Sequence, residues 1–475
     1  MKKKIILFAL CVGVCFTACS DFLAKNPYNQ IGEDVAITNY NNARYAISGV
    51  YDRIKGSGFY GRNILAIPDA ATENAILSPA ATQRFNTIAP WTATDETSET
   101  GSVFSNGYSA INALNRILAA VDKIEANEFQ IREIKAQCLA LRAICHFEIA
   151  RLFCQAYPGG ENTLGIPYIS VSDTYGKPER GTLSNTYSKV IADLKDAIPL
   201  FSNRPSYIVT DFPTVFFLDE WAAKAMLARV YMMQLDYSNA KPLLQDIIIN
   251  SGYALLSNAN FLAAWAGRYN ATSKTEFMFA LSITDNNNNG TGSIGYTYLQ
   301  GGYNDLRAAE NAIELFSDSD IRKSFFAVGT GVAAGYMLNH KFITRSGQGM
   351  GVSDVPIVRL SDIFLLYAEA CAYTGDDATA ITYLDRIRLR ADPNDGPSIE
   401  TGEALKEKIF LERRKELMYE GHYLHDLKRM HKPITSATRA DHVPYTTVPY
   451  PSNLRAYPIP RQELSANPNM VQNPY

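Results

Sequence analysis

No stretch of this 475-residue chain is apolar for long enough to cross a bilayer as a helix. A spanning helix needs about 20 apolar residues, and the longest candidate, Ile5 to Phe16, stops well short. Every later apolar run is broken by Lys, Arg, Asp, Glu or Asn. Positive charge is not in excess either. Lys and Arg number 45 against 48 Asp and Glu, a net −3, which the loss of the three lysines 2–4 would take to −6. Nucleic acid, which calls for a basic stripe, is therefore excluded as a partner. Familiar catalytic signatures are missing: there is no Gly-x-Ser-x-Gly elbow and no His-Glu-x-x-His. "GQGMG" (347–351) lacks the lysine and the strand-to-helix setting of a phosphate loop. Histidine is scarce at six, and the nearest thing to a metal set is His422, His425 and His431 in "EGHYLHDLKRMHKP". With no further ligands in pattern, that spacing predicts packed or solvated histidines, no metal and no cofactor.

Cysteine is also sparse, with seven in all and three of them within the first 19 residues. Of the remaining four, Cys138 and Cys145 lie about two turns apart on one helical pattern, roughly 10 Å. That exceeds the reach of a disulfide, about 7 Å between Cα atoms, and predicts small buried thiols. The early cysteines have a different context. Lys2-Lys3-Lys4, the apolar segment 5–16 and the small pair Thr17-Ala18 directly before Cys19 form a secretory signal. Its end resembles a bacterial lipobox, with Phe16 where an aliphatic residue is commoner. Residues 1–18 are expected to be removed and Cys19 to carry acyl chains, leaving a globule tethered to a membrane.

What fills the rest is helical periodicity. Tyr40, Ala43, Ile47, Val50 and Ile54 share one face, as do Ile111, Leu114, Leu118, Val121 and Ile124. "EIKAQCLALRAICHFEIARLF" (133–153) predicts a long apolar helix, and Tyr187 to Ile198 another that Pro199 ends. Two stretches repeat a signature. Ala228 and Ala240 in "MLARVYMMQLDYSNA", and Ala368 and Ala380 in "YAEACAYTGDDATA", lie twelve residues apart across a tight turn. This resembles the tetratricopeptide helix-turn-helix, in which small residues let paired helices approach closely. Long irregular stretches separate the two units, so the repeats are not in tandem. The expected class is mostly α.

Between the helices, long loops are expected at 57–101, 157–184, 285–305 and from Pro433 onward, and long loops in compact domains are often functional. "TDNNNNGTGSIGYTYLQGGYNDL" (284–306) concentrates asparagines, glycines and three tyrosines. Asn both donates and accepts hydrogen bonds, as sugar hydroxyls do, and Tyr offers a flat apolar face with a polar tip. Trp91 in "RFNTIAPWTATDE", and Tyr60 with Arg62, sit in a second such loop. The candidate ligand-binding residues are Trp91, Tyr296, Tyr298, Tyr303, Tyr60, Arg62 and Asn287, with a glycan as ligand. Trp265 and Trp221, inside helical patterns, are expected in the core.

The C-terminal half carries more specific motifs. "VPIVRLSDIFLLYAEACAYTG", "YLDRIRLRAD", "IFLERRKELMYEGHYLHDLKRM" and "AYPIPRQELSANPNMVQNPY" resemble, in order, the blocks of the SusD/RagB family. Upstream, "LALRAICHFEIARLF" followed by "GIPYIS" is similar to that family's N-terminal half. The resemblance covers essentially all of residues 19–475 as a single domain, with halves at about 20–210 and 260–475. It implies a SusD-like fold of tetratricopeptide-type helix pairs and long ligand-binding loops, in a lipid-anchored outer-membrane protein of the Bacteroidetes type facing the cell exterior. It implies a partner, a SusC-type TonB-dependent transporter, to which a captured oligosaccharide is delivered without bond chemistry. The repeats would face the transporter. Arg359, Glu369, Glu412, Arg413, Glu420, Asp426 and Arg429 match family motifs and are expected to pair structurally, whereas ligand contacts do not transfer by motif. The alternatives are a peptide-binding lipoprotein of an oligopeptide uptake complex, a tethered glycoside hydrolase using two carboxylates, and a purely structural repeat protein.

Overall fold

The computed structural model describes residues 37–79, 81–173, 175–202, 212, 215–267, 269, 274–437 and 446–474. Cys19 lies outside them. Among the described residues, nine long helices carry the architecture: α1 (Tyr40–Ile54), α2 (Ser98–Ala120), α3 (Glu128–Phe153), α4 (Leu183–Phe201), α5 (Glu220–Met233), α6 (Tyr237–Asn250), α7 (Leu360–Tyr373), α8 (Asp377–Ala391) and α9 (Gly402–Leu417). Each packs on the next in chain order, α1 on α2 through to α8 on α9. Strands are few and short. β1 (Ala75–Leu77) pairs with β3 (Leu306–Ala308), β2 (Phe277–Leu281) with β6 (Val355–Arg359), and β4 (Phe326–Val328) with β5 (Met337–Asn339), all antiparallel.

The helix starts follow from capping chemistry. Asn127 and Gln130 form a reciprocal capping box at α3, with N–H···O distances of 3.0 and 3.1 Å. Asp219, Asp236 and Asp376 cap α5, α6 and α8 by accepting from the third backbone N–H. α3 is buried on nearly all sides from Ile134 onward because α2 and α4 sandwich it. Its Arg142 survives burial through a two-pronged pair with Asp193 of α4, at 2.6 and 2.7 Å. α4 runs past Pro199 to Phe201; a proline in the last turn forfeits one N–H bond without ending the helix.

Both alanine pairs lie at helix crossings. Ala228, Ala240, Ala368 and Ala380 have no exposed surface. The turns between the paired helices are equivalent as well. Leu235 and Gly375 each sit seven residues past the first alanine, with φ of +58° and +81°. The two units are separated in sequence, as expected, yet they meet in space. α6 packs directly on α7, with Tyr237 stacked on Tyr373 at 4.7 Å and 16°. The residues between α6 and α7 loop out of a continuous helical array, so the units are tandem in space though not in sequence.

That excursion is tied back by buried charge. Arg359, at the end of β6, donates to Glu276, Glu416 and both oxygens of Glu420. Arg390 of α8 bridges Glu276 and Glu416 at 2.8 Å each, and Arg322 reaches Glu412 and Glu416 at 2.7 and 3.0 Å. Burial alone would raise the Glu416 carboxyl, but Arg390, Arg359 and Arg322 hold it well below the usual carboxylate range. A second network joins Arg413 to Asp362 and Asp426, and Arg429 to Glu369 and Asp426. The family-motif charges thus pair within and between helices as expected. The four thiols Cys138, Cys145, Cys154 and Cys371 are free and buried, and Trp265 is in the core, while Trp221 is half-buried under Lys224.

Candidate functional site

Three segments converge beside the C-terminal end of α1. The first is 56–62, which turns from α1 into the short helix Asn63–Ala70. Phe59 and Tyr60 go into the core, the Tyr60 hydroxyl donating to Glu148 at 2.9 Å, and Arg62 is left half-buried at the helix start. The 57–101 stretch is therefore not uniformly irregular: it holds this helix, β1 and the start of α2.

The second segment, 81–92, is anchored by two buried rings. Phe85 is fully buried, and Trp91 stacks on Tyr457 at 5.8 Å and 6° while its Nε1 donates to the Ala71 carbonyl at 2.9 Å. Arg84 stands between Gln83 and Phe85, both in the left-handed region at φ +74° and +61°. Such backbone costs about 1–2 kcal/mol per non-glycine residue and concentrates where function requires a set geometry.

The third segment, 282–305, is pinned onto α1. Asn287 Nδ2 donates to Asp52 at 2.6 Å, Asn289 Nδ2 to the Lys55 carbonyl at 2.7 Å, and Ile294 N to the Gly61 carbonyl at 2.9 Å. Ser293 then caps a short helix, Ile294–Tyr298. Helical spacing sends Ile294, Thr297 and Tyr298 inward and leaves Tyr296 half-buried. Past it, Asn304 adopts φ +51° and presents Tyr303, which is 40% exposed. Tyr303 meets Tyr296 edge to face at 6.0 Å and 61°.

Arg84 joins the second and third segments. Its guanidinium carbon lies 4.7 Å over the Tyr303 ring, and Nη1 donates to the Thr291 carbonyl at 3.1 Å and to Asp305 at 3.4 Å. Asp305 is buried, also accepting from the Thr82 N–H and hydroxyl at 2.8 and 2.7 Å. Arg62 stands close enough for the Arg84 charge to act on it: burial first, then Arg84, pushes the Arg62 guanidinium down to about 10. The surface so formed carries two aromatic faces and two guanidiniums. It suits a flat polyhydroxylated ring, which stacks by its C–H face and hydrogen-bonds by its edge.

The structure gathers four of the seven candidates, Arg62, Tyr296, Tyr303 and Asn287, around the same end of α1, the Asn287 amide being engaged with Asp52. It corrects the placement of the other three. Tyr298 has no exposed surface and packs against Tyr419 at 5.2 Å; Tyr60 and Trp91 are 3% and 6% exposed. Their rings fill the core and present no face to solvent. Sequence reasoning missed Arg84, the first residue of the quoted "RFNTIAPWTATDE", because its role depends on a loop two hundred residues away. A separate groove of about 890 Å³, between the start of α2 and the helix Arg461–Ala466, is lined by Ser98, Ser102, Ser105, Arg461 and Glu463 and carries no aromatic ring.

A helical-repeat scaffold presenting an aromatic, polar surface on its inserted loops defines the class. Within that class, the SusD family model matches residues 327–475, and the model described as "Starch-binding associating with outer membrane" matches residues 21–232. The chain belongs to the SusD/RagB family. A SusD-like protein of Formosa agariphila is 24% identical over 99% of this chain and 98% of its own length. The crystal structure of a putative sugar binding protein from Bacteroides vulgatus superposes with a TM-score of 0.83 at 27% identity, covering 93% of this chain and 99% of that one. A laminarin binding SusD-like protein shares the fold at a TM-score of 0.73 and 21% identity, covering 92% and 99%.

Proposed function

We propose that the protein is a lipid-anchored glycan-binding protein of the outer membrane that captures an oligosaccharide on the Arg84–Tyr303–Tyr296–Arg62 surface and delivers it to a SusC-type TonB-dependent transporter. The observation that carries this reading is the partly exposed pair Tyr303–Tyr296, with Arg84 over the Tyr303 ring and left-handed backbone on both sides of that contact, at Gln83, Phe85 and Asn304. Unstrained loops would leave the rings free to collapse; here the fold tolerates a conformational cost that keeps them presented. The match of residues 21–232 to a family model described as starch-binding, and the sugar-binding and laminarin-binding names of structural neighbours, support a carbohydrate as the ligand. A millimolar site requires only about 4 kcal/mol, within reach of two ring stacks at about 1 kcal/mol each and a few hydrogen bonds.

The lipobox at Cys19 supplies the anchor and outward display keeps the site in contact with the medium. The ligand leaves chemically unchanged. Binding of a glycan panel by calorimetry, with the mass of the recovered saccharide checked afterwards, tests capture. Retention of the transporter on immobilised protein from solubilised outer membranes tests delivery. A peptide bound in place of any glycan, or a hydrolysed saccharide, overturns the reading.

A further inference from the structure

We propose that the bound glycan is acidic, with a carboxylate or sulfate ester seated on the free edge of the Arg62 guanidinium. The proposal rests on the glycan-binding reading and narrows its ligand. Arg62 Nε donates to Asn63 Oδ1 at 2.8 Å, but Nη1 and Nη2 have no partner among the described residues, although the side chain is half-buried. Arg84 is better matched, donating to the Thr291 carbonyl and to Asp305. The carboxylates within electrostatic range of Arg62 are already engaged. Asp305 holds Thr82 and Arg84, and Glu99 accepts from the Phe85 N–H at 3.3 Å and the Ser98 hydroxyl at 3.1 Å.

Glu99 and Asp305 act on Arg62 through space, but neither hydrogen-bonds its Nη groups, so a half-buried guanidinium close to a second one keeps two N–H groups open to a bound anion. The free edge of Arg62 is a planar pair of N–H groups, the geometry that accepts a carboxylate or sulfate in two-pronged fashion. Tyr303 and Tyr296 beside Arg84 supply the ring-stacking surface for the sugar bearing that group. A neutral sugar would satisfy the tyrosines and leave the Arg62 edge unused.

Matched pairs of glycans test this without any mutation: oligogalacturonate against its methyl ester, and a sulfated galactan oligosaccharide against its desulfated form, with a neutral β-glucan as reference. The expected result is an acidic member bound about ten- to a hundredfold more tightly than its neutral partner, the preference narrowing as salt rises. Which pair responds distinguishes carboxylate from sulfate. Arg62→Gln should abolish the preference, while Arg62→Lys keeps part of it, with melting curves confirming that both variants fold. Equal affinities within each pair, binding of neutral glycans only, or a preference unchanged in Arg62→Gln overturns the acidic assignment and leaves glycan binding standing. No binding by any glycan overturns both.

Discussion

Arg84 lies 4.7 Å over the ring of Tyr303, and the residues flanking both partners are in the left-handed region: Gln83 and Phe85 on one side, Asn304 on the other. A pair held this way is preorganised, so a ligand that stacks on it need not order it first. Replacing Tyr303 by Ala should therefore weaken glycan binding by about 1–2 kcal/mol, roughly five- to thirtyfold, with little change in melting temperature because the ring is 40% exposed. Titration calorimetry alongside thermal unfolding separates the two effects.

Tyr298 should behave in the opposite way. It is fully buried against Tyr419, so Tyr298→Ala opens a cavity and should cost about 3–5 kcal/mol of stability. Affinity of the folded fraction should stay within about threefold of wild type. A selective loss of binding in a normally stable Tyr298→Ala protein would place that ring at the ligand.

The contrast between these two tyrosines shows what the sequence makes legible. Read as a loop, 294–298 offers three equivalent tyrosines with Tyr303. Read as a helical turn, Ile294, Thr297 and Tyr298 fall on one face, and Ser293 is a cap. The inward fate of Tyr298 was encoded in that spacing, but a five-residue helix gives too short a period to recognise. The long helices were legible because their apolar faces repeat over several turns, and the alanine pairs because a close helix crossing tolerates little else. The contact of α6 with α7 was not, since it depends on how the residues between them fold out of the way. Arg84 was equally hidden: a guanidinium over a ring is set by two distant loops, not by any local pattern.

The turn equivalence of Leu235 and Gly375 predicts an asymmetric response. A Cβ at Gly375 would meet no heavy atom within 4 Å, so Gly375→Ala carries only the backbone penalty of φ +81°, about 1 kcal/mol. Leu235 already bears that penalty, and Leu235→Asn, a residue that tolerates the left-handed region, should be close to neutral. Denaturant unfolding midpoints at unchanged slope would measure both.

Buried charge should dominate the mutational sensitivity of the C-terminal half. Glu416 lies among Arg359, Arg390 and Arg322. Glu416→Gln leaves those guanidiniums undercompensated and should cost about 3–5 kcal/mol, read as a lowered unfolding midpoint.

His146 predicts a pH dependence. Its Nδ1 is bonded to the Arg142 carbonyl at 2.8 Å and its Nε2 receives the Ile169 N–H at 3.0 Å. Burial pushes the imidazole down to about 3, against about 6.5 in the unfolded chain. A depressed folded value means that the unfolded chain takes the proton first. The stability is complete above about pH 6.5 and falls as pH drops towards 3, by up to about 1.4 kcal/mol per unit for one proton. His146→Gln should lower stability at neutral pH and flatten that slope over pH 4–6, measured as unfolding free energy against pH.

The most direct test of a glycan clasp at the α1 end is a comparison of wild type with Arg84→Ala/Tyr303→Ala, titrated with the same saccharides by calorimetry after their melting curves have been matched. Capture at this surface predicts at least a tenfold loss of affinity in the double variant, with the saccharide recovered intact. Undiminished binding by a double variant that folds normally would contradict it.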